Sequence, residues 1–193
     1  MLVEETESRP RHVMVDIETL GTQPGSVIVS IAAVEFDPYG ESSQALDETF
    51  SINVCLESAQ RAGLKISATT MLWWMGQTKE AQTKTFFKEG RATLGYALGL
   101  FNKWLEKRGE DVRIWAHGAP FDPVLLTTAY EACGNEPSWQ FRNIRDTRTL
   151  FELADMKDMS EFRGHEGTEH TSLDDAITQA RAVIFAHKKL WLS

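Results

Sequence analysis

Cysteine is scarce in this chain. Cys55 and Cys133 are its whole complement, and neither lies in a CxxC pair or at metal-ligand spacing. That excludes a disulfide framework and a thiolate zinc site, and it suits reduced core thiols in a cytoplasmic protein. Long apolar runs are missing too. The most apolar stretch, Val27 to Phe36, is broken by Ser30 and Glu35 and falls far short of the ~20 residues that cross a bilayer, so no membrane partner is expected. Met1 to Arg11 lacks the basic and apolar blocks of a secretory signal. It reads as a flexible N-terminal tail, 1–11, ahead of a single domain over 12–193. Basic charge is in deficit, with 20 Lys and Arg against 28 Asp and Glu and a net charge of −8. Coating long nucleic acid by counterion release needs the opposite balance. An enzyme whose clustered carboxylates are neutralised by cations does not. Internal repeats and low-complexity tracts are also absent.

What remains is an ordinary globular composition: 193 residues, 42% of them apolar, enough for one core that needs no disulfide or structural metal. His12 to Ile17 alternates, with Val13, Val15 and Ile17 on one face and His12, Met14 and Asp16 on the other. Val27 to Phe36 reads as a long strand ended by Asp37-Pro38-Tyr39-Gly40, and Glu48 to Leu56 as a third. Short links between these three predict an antiparallel meander. Helices are expected over Ala68–Gln77, Lys79–Lys84 and Ala92–Lys107, then a strand at Val112–Ala116. Asp122-Pro123 reads as N-cap and first turn of a helix reaching Cys133. A fifth strand is expected at Phe141–Asp146, a helix at Thr147–Ala154, a mobile loop over Asp155–Thr171 and a final helix from Ser172 to Leu190. Strands first, then alternating helix and strand, predict an α/β domain around a mixed central sheet of about five strands flanked by helices.

The chemistry lies in four carboxylates and a histidine. Asp16 and Glu18, at i and i+2 on a strand end, project from one face. They could flank two hard cations roughly 4 Å apart. An EF-hand is excluded because Gly21 is not followed by the spaced oxygen ligands. Asp122 and Asp175 each have a plain structural alternative, one as the cap before Pro123, the other in a capping box with Ser172 for which Asp174 competes. His170 precedes Asp175 by a fixed interval, and an imidazole is suited to take a proton from an attacking water. His165 reads as an incidental surface histidine. Trp73 and Trp74 point in different directions on any helix, so either one packs inward while the other offers a stacking face, or both are partly buried structure. Arg145 and Arg148 flank Asp146-Thr147, and either a phosphate contact or a solvated pair would account for them.

Asp16-Ile17-Glu18-Thr19-Leu20-Gly21, then Phe121-Asp122 after a strand, then His170-x4-Asp175, occur in that order. Together they resemble the three motifs of the DEDD exonuclease superfamily, and the histidine spacing resembles its DEDDh branch. Ala62 to Trp74 with Gln77 to Ala81 is similar to the segment of exonuclease VIII-like and of phage and bacterial 3′–5′ exonucleases. The resemblance covers roughly Val13 to Ala186. His117 departs from it, standing where the branch often has Asn, and is given no catalytic role. The resemblance implies an RNase H-like fold. It implies that Asp16, Glu18, Asp122 and Asp175 hold two Mg²⁺ ions, with Mn²⁺ able to substitute, and that His170 is the general base. The implied partner is a single-stranded or overhanging 3′ end of RNA or DNA, released as nucleoside 5′-monophosphates. Thr19 and Leu20 would cradle and wedge the terminal nucleotide, Trp73 or Trp74 would stack on it, and Arg148 would meet phosphate. The resemblance also leaves room for a homodimer. Two further readings stand beside it: a catalytically weak nucleic-acid-binding or nucleotide-binding module of the same fold, and an RNase H-type endonuclease.

Overall fold

Strand β1, His12–Thr19, is the axis of the sheet and carries the first two carboxylates. The computed structural model describes residues 10–40, 46–87, 89–164 and 169–191. β2 (Ile28–Phe36) pairs antiparallel with β1, and β3 (Leu46–Asn53) antiparallel with β2, as the short links predict. Four helices follow: α1 (Leu56–Arg61), α2 (Ala68–Met75), α3 (Lys79–Phe86) and α4 (Leu94–Glu106). β4 (Arg113–Ala116) then joins β1 in parallel, α5 (Asp122–Ala132) crosses over, and β5 (Ile144–Asp146) adds in parallel to β4. Helices α6 (Thr147–Leu153) and α7 (Ser172–Trp191) complete the chain. The sheet order is β3-β2-β1-β4-β5.

Every residue of β2 is buried, because helices cover both faces of the sheet. Val13, Val15 and Ile17 enter one core with Leu98 and Phe101 of α4 and Leu125 and Leu126 of α5. Met14 enters the other with Ala176, Ala180 and Val183 of α7. The small residues at i, i+4 and i+7 on α7 let that helix lie close over β1 and β2. Asp16 and Glu18 share Met14's face, so strand alternation aims both at α7. The β1–β2 pairing slips between Glu18 and Thr19, a bulge at the strand end that carries the acids. Glu35, the charge inside the most apolar run, is paired with Arg11 and with Arg108, so its burial is compensated.

Several expected boundaries move. Leu56 opens α1 rather than closing a strand. Phe141–Asn143 is a 3₁₀ turn, leaving three residues for β5. Arg11 belongs to the fold rather than to a tail, since its carbonyl accepts from Arg113 N at 2.8 Å; 1–9 lie outside the described residues. The segment read as a mobile loop contains a 3₁₀ turn at Ser160–Phe162, and Met156, Met159 and Phe162 pack on the second core. His165 lies outside the described residues. Cys55 and Cys133 are unpaired and half-buried, less deep than core thiols. No helix among the described residues is long and apolar enough to cross a membrane.

Candidate active site

The ends of β1, α5 and α7 converge. Oxygen atoms of Asp16, Glu18 and Asp175 lie within 4.8 Å of one another. Asp122 stands beside them, its Oδ1 accepting from Ile17 N at 3.2 Å, between the two strand carboxylates. That bond corrects the expected capping role. Phe121 is the N-cap of α5, and Asp122 is the first helical residue. From there its carboxylate turns back on β1, at a helix N-terminus that favours negative charge. The capping box expected at α7 is also replaced. Ser172 is the first helical residue, its hydroxyl 3.0 Å from that of Ser30. Thr171 Oγ1 instead donates to Asp174 Oδ2 at 2.7 Å, and its carbonyl accepts from Asp175 N. Asp175 is thereby left to the site.

Electrostatics at the cluster are unfavourable for four free carboxylates. Burial, then the neighbouring Asp122, Glu18 and Asp175, raises the Asp16 pKa well above the usual carboxylate range. Burial and the charges of Asp175 and Asp122 push Glu18 up to about 8, and burial pushes Asp122 up to about 7. Burial also raises Asp175, against the opposing pull of Arg163. Packed acids of this kind repel one another unless protonated or bridged by cations. The donor set is entirely oxygen and hard, which fits Mg²⁺ or Mn²⁺ and not a soft metal.

His170 is held from several sides. Its backbone N donates to Asp175 Oδ2 at 3.0 Å, and its carbonyl accepts from Thr85 Oγ1 at 3.0 Å. Its ring meets that of Trp73 edge to face, with centroids 4.8 Å apart. The residue has φ of 61°, in the left-handed region a non-glycine residue enters only when its surroundings impose it. The adjacent tryptophans divide as helical geometry requires. Trp74 is buried and donates Nε1 to Thr19 O at 2.9 Å, while Trp73 is 46% exposed.

The residues expected to cradle and wedge the terminal nucleotide lie at the base of the site. Leu20 is 1% exposed and sits in the core, and its backbone N and O are engaged by Val27 and Ser67. Thr19 is equally occupied, with Oγ1 donating to Gly21 O and its carbonyl held by Trp74. These residues build the floor, and the Trp73 ring offers exposed apolar surface beside His170.

A cleft of about 640 Å³ continues from Asp175, lined by His117, Arg148, Lys157, Arg163 and Gln179 among others. Gly118 has φ of 116°, a backbone conformation that favours glycine, and the Arg148 guanidinium lies beside it. Arg145 is turned away, donating to the Arg142 and Ile144 carbonyls. His117 Nδ1 lies 2.8 Å from Thr147 Oγ1, a bond that fixes the end of β4 to the start of α6. Three residues at the site escaped sequence reasoning. Gln179 donates Nε2 to Asp16 Oδ1 at 2.7 Å and leaves Oε1 buried with no partner among the described residues. Its position one helical turn after Asp175 was a usable signal. Thr85 and Arg163, which bonds Asp175 Oδ1 at 2.8 Å, have no local pattern that marks them.

Comparison with known proteins agrees with this geometry. The chain is 24% identical over 120 residues to the exodeoxyribonuclease of Enterobacteria phage T4, a match covering 58% of the chain and about half (53%) of that relative. Among solved structures, the nuclease domain of 3′hExo, a DEDDh family member bound to rAMP, superposes with a TM-score of 0.60 at 13% identity, covering 91% of this chain and 90% of that one. E. coli exonuclease I in complex with a dT13 oligonucleotide superposes at 0.56 with 18% identity, over 94% of this chain and 41% of that one. The fold is therefore the RNase H-like nuclease fold that the motifs implied. The 3′-5′ exoribonuclease Rv2179c-like domain matches residues 11–186, nearly the whole described structure and all five site residues, and the chain belongs to that family.

Proposed function

We propose that the protein is a divalent-metal-dependent nuclease that removes nucleotides one at a time from the 3′ end of single-stranded or overhanging nucleic acid, RNA foremost. The observation that carries this reading is the approach of Asp16, Glu18 and Asp175 to within 4.8 Å beside a histidine locked onto Asp175. Asp16, Glu18, Asp122 and Asp175 would hold two ions of the Mg²⁺ or Mn²⁺ class. When bound, such ions supply the charge that acidifies a water and stabilises a leaving 3′ oxygen.

The chain's own residues do the rest. His170 takes the proton of the attacking water at its imidazole, with Thr85 and the Asp175 carboxylate fixing the backbone that carries it. Gln179 orients Asp16. The exposed Trp73 ring gives the terminal base a stacking face, and Arg148 in the adjoining cleft meets a phosphate of the strand. Asp122, placed on α5 rather than on the strand, completes the site from the far side of β1.

The family name supports RNA and the phage relative supports DNA, so the sugar is decided by comparison. Matched single-stranded and 3′-overhang RNA and DNA, labelled at the 5′ end, are digested with Mg²⁺. Progressive shortening, fastest on RNA and absent with Asp16→Ala, is expected. Shortening that survives Asp16→Ala would place the chemistry elsewhere.

A further inference from the structure

Asp175 has both of its carboxylate oxygens engaged. Oδ2 accepts from His170 N at 3.0 Å, and Oδ1 accepts from Arg163 Nη1 at 2.8 Å. Among the described residues no other cationic side chain is hydrogen-bonded to any of the four acids. Arg163 directly follows the 3₁₀ turn at Ser160–Phe162, and that turn is anchored: Phe162 packs on the second core, and its carbonyl accepts from Arg181 of α7. The guanidinium itself reaches into the cleft beside Arg148 and Gln179 and is 22% exposed. It also has a second carboxylate within reach, Glu169 on the rim, 3.8 Å from Nη2. The side chain can therefore change partner without moving the turn that carries it.

We propose that Arg163 is a built-in competitor of the divalent cation at Asp175. It neutralises that carboxylate when no ion is bound and leaves it, toward Glu169 and the cleft, when an ion arrives. The inference rests on the metal-site reading above and adds a determinant of affinity to it. A guanidinium and a divalent ion on one half-buried carboxylate repel each other, so each weakens the other's hold. The arginine thus sets how much free cation is needed to load the site, and it keeps a half-buried acid from standing unpaired below that level.

The test is isothermal titration of the full chain with Mn²⁺ alone, without nucleic acid. The variants are Arg163→Gln, Arg148→Gln and Asp16→Ala. Arg148→Gln removes the same charge from the same cleft, but at a side chain that bonds none of the acids. Arg163→Gln is expected to tighten Mn²⁺ binding by roughly fivefold or more, while Arg148→Gln changes it by less than about twofold. Thermal melts read the same coupling independently: the rise in Tm on adding Mn²⁺ should be larger in Arg163→Gln than in the wild type. Unchanged or weaker binding in Arg163→Gln, or equal tightening in both arginine variants, would overturn the competition. Saturable binding by the wild type that is lost in Asp16→Ala keeps the metal-site reading whatever the arginines do. No saturable binding by the wild type would end both.

Discussion

The ring of Trp73 stands edge to face against that of His170, with centroids 4.8 Å apart and planes at 77°. One half-exposed indole therefore borders the proposed base. Its neighbour Trp74 is buried and bonded to the end of β1. Trp73→Ala should lower turnover on short strands about tenfold, by losing a stacking face and freeing the imidazole, with little change in Tm. Trp74→Ala should cost about 3–5 kcal/mol of stability, leaving an orphaned Thr19 carbonyl. Steady-state kinetics and thermal melts on the two variants read this split, and equal effects on both would contradict it.

His170 and its clamp give a second separation. His170→Ala should cut turnover by about a hundredfold or more while leaving Mn²⁺ affinity close to that of the wild type. Thr85→Val keeps the side-chain shape and removes the bond to the His170 carbonyl. It should lower kcat severalfold without weakening metal binding. Loss of metal binding in His170→Ala equal to that in Asp16→Ala would remove its assignment as base.

The packed acids predict a trade between stability and activity. Asp16→Asn removes one of four mutually repelling charges and keeps a partner for Gln179. In chelator it should be more stable than the wild type by about 1–2 kcal/mol, inactive, and no longer stabilised by Mn²⁺. Denaturant melts with EDTA and with Mn²⁺ measure all three effects. A less stable variant in EDTA would mean that the acids are compensated by something other than cations.

A pH effect is expected at the other end of β1. His12 accepts a bond from Trp115 Nε1 at its Nδ1, 2.8 Å away, which requires that nitrogen unprotonated. Burial, with His187, Arg113 and Arg145 nearby and Asp37 opposing, holds its pKa down from 6.5 to about 4. Between those values the unfolded chain binds a proton that the native protein does not, so stability falls as pH drops through this window. The loss should be of order 2 kcal/mol. His12→Phe should be less stable at pH 7, with an unpartnered indole, and have a flatter profile from pH 6.5 to 4. An unchanged slope would assign the acid sensitivity to other groups.

Much of this arrangement was legible from local pattern. Alternation in β1 placed Asp16 and Glu18 on one face, and the face proved to be that of α7. The meander followed from short links, and the tryptophan split followed from helical geometry. What local pattern could not carry was long-range. Asp122 and Ser172 each read as a cap because both precede helices, yet the bonds that place them run to Ile17 and to Ser30 across the fold. Leu20, given a wedging role by the resemblance, has its backbone bonded to Val27 and Ser67 and its side chain in the core. The left-handed backbone of His170 depends on Thr85, 85 positions away, and no spacing announces it. Arg163 lies in the segment read as a mobile loop, and no spacing there marks its bond to Asp175.

The central claim is metal-dependent attack at a 3′ end by the Asp16–Glu18–Asp122–Asp175 set with His170. It is tested most directly with a linear strand labelled at its 3′-terminal nucleotide and a closed circle of the same sequence, each incubated with Mg²⁺. The label should leave first, as a nucleoside 5′-monophosphate, the circle should stay intact, and EDTA or Asp16→Ala should abolish release. Internal cutting of the circle, or label retained on long fragments while the strand shortens, would contradict it.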